Sequence, residues 1–274
     1  MVARFDEVAD GVYVLRYPVL DVNSTLVVGP DEALLVDTLS TPAQAGELTA
    51  AVRRVTPLPY RVVNTHHHFD HCFGNAVVAG PGTEIWAHEG CAEVLAGTDE
   101  TRLAALAAEY PELAGGILAT TVRAPDRTVR EEAVLDVGGR TVQLVHLGRG
   151  HTDDDLVVVV PDAATVIAGD LVESSGPPGF GDAWPLDWPA TDAAMLEILD
   201  GLVGTATVVP GHGAPVGRDF VRAQHDELAR LAWLCRDGHA DDRPAEEVAA
   251  VAPYGRAVAL VAVLRAYGDL DGRL

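Results

Sequence analysis

The stretch NTHHHFDHCFGN, residues 64–75, places four histidines and an aspartate within six residues. Imidazole and carboxylate groups bind divalent cations and move protons near neutral pH. The stretch follows YRVV, an apolar run that reads as a strand. On an extended chain, side chains two apart share a side, so His66 and His68 can reach one cation and Asp70 continues the alternation. His71 would point away in a straight strand, so the chain must turn near Phe69 and Asp70. Such a turn aims Asp70 and His71 at a neighbouring point, one way to build two adjacent metal sites. His67 falls on the opposite side and is expected to be exposed or to support a ligand from behind. Cys72 is expected to pack rather than ligate.

One loop cannot close a metal shell. Three other residues can help, each just after a strand-like run: His151 in LGRGHTDDD, Asp170 in VIAGDLV and His212 in VVPGHG. This set needs no thiolate and suits Zn²⁺, Fe²⁺ or Mn²⁺. Arg149, two residues before His151, could bind a substrate carboxylate or pair with one of Asp153, Asp154 and Asp155, which read as a turn with supporting acids. The Gly/Pro-rich segment ESSGPPGFGDAWPLDWPAT, residues 173–191, carries Phe180, Trp184 and Trp188. These aromatics are candidate pocket walls for an apolar or cyclic acyl group. In the competing reading Trp184 and Trp188 staple the loop to the next helix, with Asp187 or Thr191 as its cap. His88 and His146 read as scaffold, and His225 and His239 as helix surface.

The elements that must position these residues come in two batches. GVYVLRYPV, STLVVG, EALLVDT, YRVVNT and TEIWAH read as strands, and TPAQAGELTAAVRRV as a helix with Thr41 as N-cap and Pro42 at its first position. A helical stretch follows over about Glu89 to Tyr110. The second batch has a hairpin around Gly138-Gly139, a strand pair turning at Pro161-Asp162, the helix DAAMLEILDGL and the strand ATVVPGHG. From Arg218 the chain reads as a helix ending at Gly238, then two more split at Pro253. Two such batches favour an α+β sandwich of two sheets flanked by helices. With no internal repeat and no low-complexity linker, residues 1–274 read as one domain.

All 19 basic residues are Arg, and 41 acidic residues give a net charge of −22. The field of such a chain repels phosphate polymers and the arginines are scattered, so nucleic acid is an unexpected partner. No apolar run is long enough to span a bilayer and none near the start reads as a secretion signal; the expectation is a cytoplasmic chain without a membrane partner. Cys72, Cys91 and Cys235 are too few and too scattered for a disulfide framework. The expected partner is a small-molecule substrate; the oligomeric state stays open.

HHHFDH fits H-x-H-x-D-H, and GRGHT, AGDLV and PGHG follow in order. Over roughly residues 11–215 the chain thus resembles the metallo-β-lactamase superfamily. The resemblance implies a four-layer αβ/βα sandwich with its metal site at one edge, the segment of about 218–270 being added C-terminal helices. It assigns His66, His68 and His151 to a first metal, Asp70, His71 and His212 to a second, and Asp170 as a bridge. It also implies two Zn²⁺ and a dizinc-bridged hydroxide that attacks a carbonyl of an ester, lactone, thioester or amide, a β-lactam among them. Asp70 would then be both ligand and catalytic orienter. Several zinc β-lactamases carry Cys where this chain has Asp170. The all-His/Asp set is closer to the glyoxalase II, lactonase and quinoprotein-relay branches, the local text most to the last. An absence of Lys and an apolar C-terminal helix pair count against a glutathione thioester. On the same fold, a mono-iron sulfur dioxygenase is the first alternative, a phosphodiesterase or a non-catalytic binder a lesser one.

Overall fold

The computed structural model describes residues 3–274. Its first sheet has seven strands lying in chain order: β1 (Asp6–Ala9), β2 (Val12–Arg16), β3 (Asn23–Val28), β4 (Ala33–Val36), β5 (Tyr60–Val63), β6 (Ile85–His88) and β7 (Arg127–Val129). The pairs from β1 to β4 are antiparallel and those from β4 to β7 parallel. A parallel pair needs a crossover, and α1 (Pro42–Val55) supplies that between β4 and β5. Thr41 caps α1 as expected, its hydroxyl accepting from the Gln44 N–H at 3.3 Å. Between β5 and β6 lie the short helices α2 (Phe69–Cys72) and α3 (Asn75–Val78). Between β6 and β7 lie α4 (Glu89–Ala96), α5 (Glu100–Glu109) and α6 (Ala114–Leu118).

The second sheet has six strands: β8 (Glu132–Val137), β9 (Arg140–His146), β10 (Leu156–Val160), β11 (Thr165–Glu173), β12 (Thr207–His212) and β13 (Val216–Gly217), again adjacent in chain order. Its parallel pair, β11 with β12, is joined through α7 (Trp188–Gly201). The C-terminal layer is α8 (Arg218–Ala240), α9 (Ala245–Ala249) and α10 (Arg256–Leu270).

Strands β4 and β10 are buried along their whole length, which is why they read as unbroken apolar runs. Val27, Leu34 and Val36 of the first sheet meet Leu144, Leu156 and Val158 of the second. On the outer face of the first sheet Leu35 and Val62 pack on Leu48 and Val52 of α1. On that of the second, Val157 and Val208 pack on Met195, Leu228 and Val263. The result is the expected order of helices, sheet, sheet, helices, an αβ/βα sandwich.

Two helix boundaries differ from expectation, and strands β1 and β7 are additional. The helical stretch from Glu89 splits at Asp99, whose carboxylate caps α5 by accepting from the Thr101 and Arg102 N–H groups, both at 3.0 Å. Helix α8 runs past Gly238, which is a packing residue rather than a stop: a Cβ there would lie 2.4 Å from Val248 and 2.7 Å from the Tyr267 hydroxyl. Strands β1 and β7 carry too few apolar residues to stand out in the sequence. Among the described residues no helix is long and apolar enough to cross a membrane.

The α7–α8 contact encloses a carboxyl group. Asp192 is fully buried, and Gln224 donates to its Oδ2 at 3.1 Å while Oδ1 has no partner. Burial pushes Asp192 up to about 8, with the hydrogen bond from Gln224 opposing. The folded chain therefore keeps a proton that the unfolded chain releases near pH 4. Stability from this group falls as pH rises from about 4 to about 8 and is flat above. Asp192→Asn removes that penalty. Urea unfolding at fixed zinc should show equal stability near pH 4 and a variant more stable by roughly 1–3 kcal/mol at pH 8. A difference that does not grow with pH would mean that Asp192 is ionised in place.

Candidate metal centre

His66 stands just beyond β5, and the turn after His68 is the one-turn helix α2. A buried amide pair fixes that turn. Asn64 donates to the His71 carbonyl at 3.3 Å and to Asn75 Oδ1 at 3.0 Å, and Asn75 donates back to Asn64 Oδ1 at 2.7 Å. The Thr38 N–H adds a bond to the same His71 carbonyl at 2.7 Å. Asp37, beyond β4, accepts from the Thr65 N–H and hydroxyl, both at 2.8 Å. These bonds orient the imidazoles as well as the backbone.

With the Thr65 hydroxyl donating to Asp37, its oxygen is left to accept from His66 Nδ1 at 3.0 Å. His71 Nδ1 donates to Asp37 Oδ2 at 2.8 Å, and His212 Nδ1 to the Leu20 carbonyl at 2.8 Å. Each of these rings therefore turns its Nε2 inward. His68 is reversed: its Nε2 donates to Asp182 Oδ2 at 3.0 Å, so Nδ1 is the bare atom. It faces His151 Nε2 at 2.9 Å, and His71 Nε2 faces His212 Nε2 at 3.3 Å.

The Asp170 carboxylate sits amid them. Its oxygens are 3.8 Å from His66 Nε2, 3.2 Å from His71 Nε2, 3.5 Å from His151 Nε2 and 3.3 Å from His212 Nε2. Asp70 Oδ2 is 3.3 Å from His212 Nε2 and 3.7 Å from His71 Nε2. Three groups emerge among the described residues, the potential ligand atoms within each lying inside 4.8 Å of one another: His66, His68, His151 and Asp170; Asp70, His71 and His212; and, at the rim, His67, His68 and Asp182.

These residues fit divalent cations. His66 Nε2 and Asp170 Oδ1 are buried without a hydrogen-bond partner, and lone pairs this close repel unless a proton or cation lies between them. In the bare protein burial, then the neighbouring His71, hold His66 well below the usual imidazole range. Burial likewise brings His151 down to about 4, Asp170 opposing. Burial opposes protonation of His71 too, but Asp170, Asp70 and Asp37 lift it well above its ordinary value. His212 is lifted in the same way against burial, chiefly by Asp170. A cation binding here must displace those protons, so binding is tighter at higher pH. Nitrogen and carboxylate donors without thiolate suit zinc, iron or manganese.

All seven residues expected to ligate therefore meet at one place. His67 does not join them and is not exposed: it is buried with Nδ1 on Asp154 Oδ2 at 2.7 Å. Burial opposes its proton, but Asp154 and Asp182 push His67 up to about 9. Cys72 is buried, its thiol donating to the His68 carbonyl at 2.9 Å. His88 caps α4 and stacks on His146 with centroids 4.3 Å apart.

The expected pocket walls need correction. Trp188 is fully buried and Phe180 nearly so, packed on each other and on the helical layer. Trp188 also packs against His151, 5.8 Å between centroids. Arg149 neither faces the cleft nor pairs with residues 153–155; it binds Asp187 and lies over the Trp184 ring at 3.8 Å. The aromatics staple the loop because apolar area this large is stabilised more by the core than by a wet rim. Asp187 therefore pairs with Arg149 rather than capping α7 through its side chain.

The cleft over the cluster measures about 710 Å³, a size suited to small molecules. Its apolar walls are Leu20, Phe69 and Leu106, and its polar ones include Arg102, Tyr110 and Glu173. Arg102, Leu106 and Tyr110 were not legible as walls in the sequence, because α5 and its C-terminal end reach the cleft from a separate part of the chain. A cleft of about 800 Å³ elsewhere, lined by Arg53, Tyr60 and Arg61, holds none of the donor groups.

Residues 17–224 match the family model for the metallo-beta-lactamase superfamily. A metallo-beta-lactamase type 2 from Bacillus sp. (strain 170) is 33% identical over 82 residues, 29% of this chain and 31% of that protein, so the match spans about a third of the relative. Among solved structures, a metallo-beta-lactamase from Pontibacter korlensis superposes with a TM-score of 0.65 at 21% identity, covering 83% of this chain and 99% of that one. One from Erythrobacter litoralis gives 0.61 at 22% identity, covering 82% and 95%. At these identities the structures speak for the fold.

Proposed function

Because the chain belongs to the metallo-beta-lactamase superfamily, we propose that it is a metal-dependent hydrolase that opens a carbonyl compound: an ester, lactone, thioester or amide, a β-lactam among them. The observation that carries this reading is the set of inward-turned imidazole nitrogens around the buried Asp170 on the floor of a small-molecule cleft. In this reading His66, His68 and His151 would hold one zinc ion and Asp70, His71 and His212 a second, with Asp170 available to both. Such a pair lowers the pKa of water and polarises a carbonyl oxygen.

The protein's own groups do the rest. Leu20, Phe69 and Leu106 offer an apolar wall for the acyl portion. Burial pushes the Tyr110 phenol up to about 12, so it stays protonated at neutral pH and can donate to an oxygen gaining charge. Asp70, besides ligation, offers a carboxylate that can accept a proton from the nucleophile. Asp37, Thr65 and the Leu20 carbonyl keep the rings in one tautomer.

Protein purified without chelator or added metal should contain about two zinc ions per chain. It should hydrolyse members of a panel of lactones, thioesters, esters and β-lactams, lose that activity to a chelator and regain it with zinc. About one iron per chain, with oxygen uptake on a persulfide and an inert panel, would replace this reading with a sulfur dioxygenase.

A further inference from the structure

The segment between β11 and α7 carries Asp182, the hydrogen-bond partner that leaves His68 Nδ1 bare. Besides His68 the carboxylate meets His67, whose Nε2 lies 3.4 Å from the same Oδ2, but no neighbour within its own segment fixes it. Its side chain is 47% exposed and the run around it, GPPGFGDAWP, has no regular structure. A half-exposed carboxylate orients a ring only if its own backbone is held.

The hold comes from the far end of the chain. Arg265, half-buried on α10, donates to the Asp182 carbonyl at 2.8 Å and to the Ala183 carbonyl at 3.0 Å. Its guanidinium also lies 5.8 Å from the Trp184 ring, which Arg149 covers at 3.8 Å. The Trp184 N–H donates to the Gly150 carbonyl at 2.8 Å, one residue from His151. The planar fork of arginine suits two successive carbonyls in a way that an ammonium group does not. Arg265 lies outside residues 17–224, the part of the chain that matches the family model.

We propose that Arg265 is a positioning residue: through the backbone of residues 182–183 it sets the Asp182 carboxylate on His68, and so fixes which nitrogen of His68 faces the metal site. This inference rests on the proposed metal centre but not on the substrate. The C-terminal helices then do more than cover the second sheet, because one of them completes the site.

The test is a double-mutant cycle read by Zn²⁺ affinity, using chelator competition on the full chain. Arg265→Met and Asp182→Asn should each weaken one of the bound zinc ions by about 10–100-fold, the range for a group that orients a ligand. The double variant should be no weaker than Asp182→Asn alone, since both act through one contact. Amide exchange should rise over residues 179–187 in Arg265→Met and stay unchanged elsewhere. Arg256→Met, an exposed arginine on the same helix, should leave affinity and exchange unchanged. Wild-type zinc affinity in Arg265→Met, additive losses in the double variant, or exchange rising throughout the chain would each overturn the proposal. If the wild-type chain takes up no zinc, the metal centre itself is wrong. If zinc binds and the cycle holds but no substrate is cleaved, the hydrolase reading fails and the positioning role stands.

Discussion

Asp170→Asn should leave a folded protein that has lost at least about 100-fold in hydrolysis, the scale for removing one directly acting polar group, and most of its zinc. The carboxylate lies within 3.8 Å of the inward nitrogens of His66, His71, His151 and His212. Burial raises its energy, yet His212 and His71 hold Asp170 well below the usual carboxylate range. An amide of the same shape brings N–H donors to His66 and His151, whose inward nitrogens burial keeps unprotonated. It satisfies them by hydrogen bonding and so competes with the cation. It also removes the negative charge that offsets a second positive ion close to the first. The fold should survive, because a buried ionised group is replaced by a neutral one of equal volume. Elemental analysis, circular dichroism and the hydrolysis panel check the three parts. Two zinc ions and activity within about tenfold of wild type would remove Asp170 from the site.

The reach of the sequence had a physical boundary. His66, His68, Asp70 and His71 are close along the chain, and strand alternation plus one turn fixes their geometry, so local rules suffice. His151, Asp170 and His212 follow apolar runs that become β9, β11 and β12, and strand ends in a sandwich share a rim. The order of the motifs matched a known family, and the sheets pack as that resemblance implies. What stayed hidden depends on contacts between distant segments. Asp37 looks like the polar end of a strand, yet it orients Thr65 and His71. Arg102 and Tyr110 reach the cleft only because α5 folds over it. Phe180 and Trp188 were legible as lying in, or at the helical end of, the Gly/Pro-rich segment, but not which way they face. A loop aromatic can turn to a cleft or to a core, and here Val221, Leu228 and their neighbours on α8 make the core available. Arg149 was drawn by Asp187, on a segment whose path no local pattern states.

Gly211→Ala should be nearly as damaging to metal binding as loss of Asp170, although glycine has no functional group. Gly211 lies in β12 beside β11, and a Cβ there would stand 1.7 Å from Asp170 Oδ1 and 2.9 Å from the Asp170 backbone nitrogen. No atom pair tolerates 1.7 Å, so something must move. Rotating Asp170 away empties the centre of the cluster. Shifting β12 carries His212 with it, and Asn23 resists by donating to the Pro210 and Gly213 carbonyls, both at 2.8 Å. Either response removes a donor, and the overpacking should cost roughly 1–3 kcal/mol of stability. Gly217→Ala on β13, where a Cβ meets nothing within 4 Å, should leave zinc and activity unchanged. The informative comparison adds Asp170→Ala to Gly211→Ala. Removing the carboxylate removes the 1.7 Å clash and leaves only the 2.9 Å approach to the Asp170 backbone nitrogen, so the double variant should melt above Gly211→Ala alone while remaining without zinc. A Gly211→Ala protein with two zinc ions and full activity would show that Asp170 does not sit against this strand. A double variant no more stable than Gly211→Ala would show that the strain lies elsewhere. The expected result would tie the bare glycine of PGHG to the space that Asp170 occupies, and so explain why a residue without chemistry stands next to a proposed ligand.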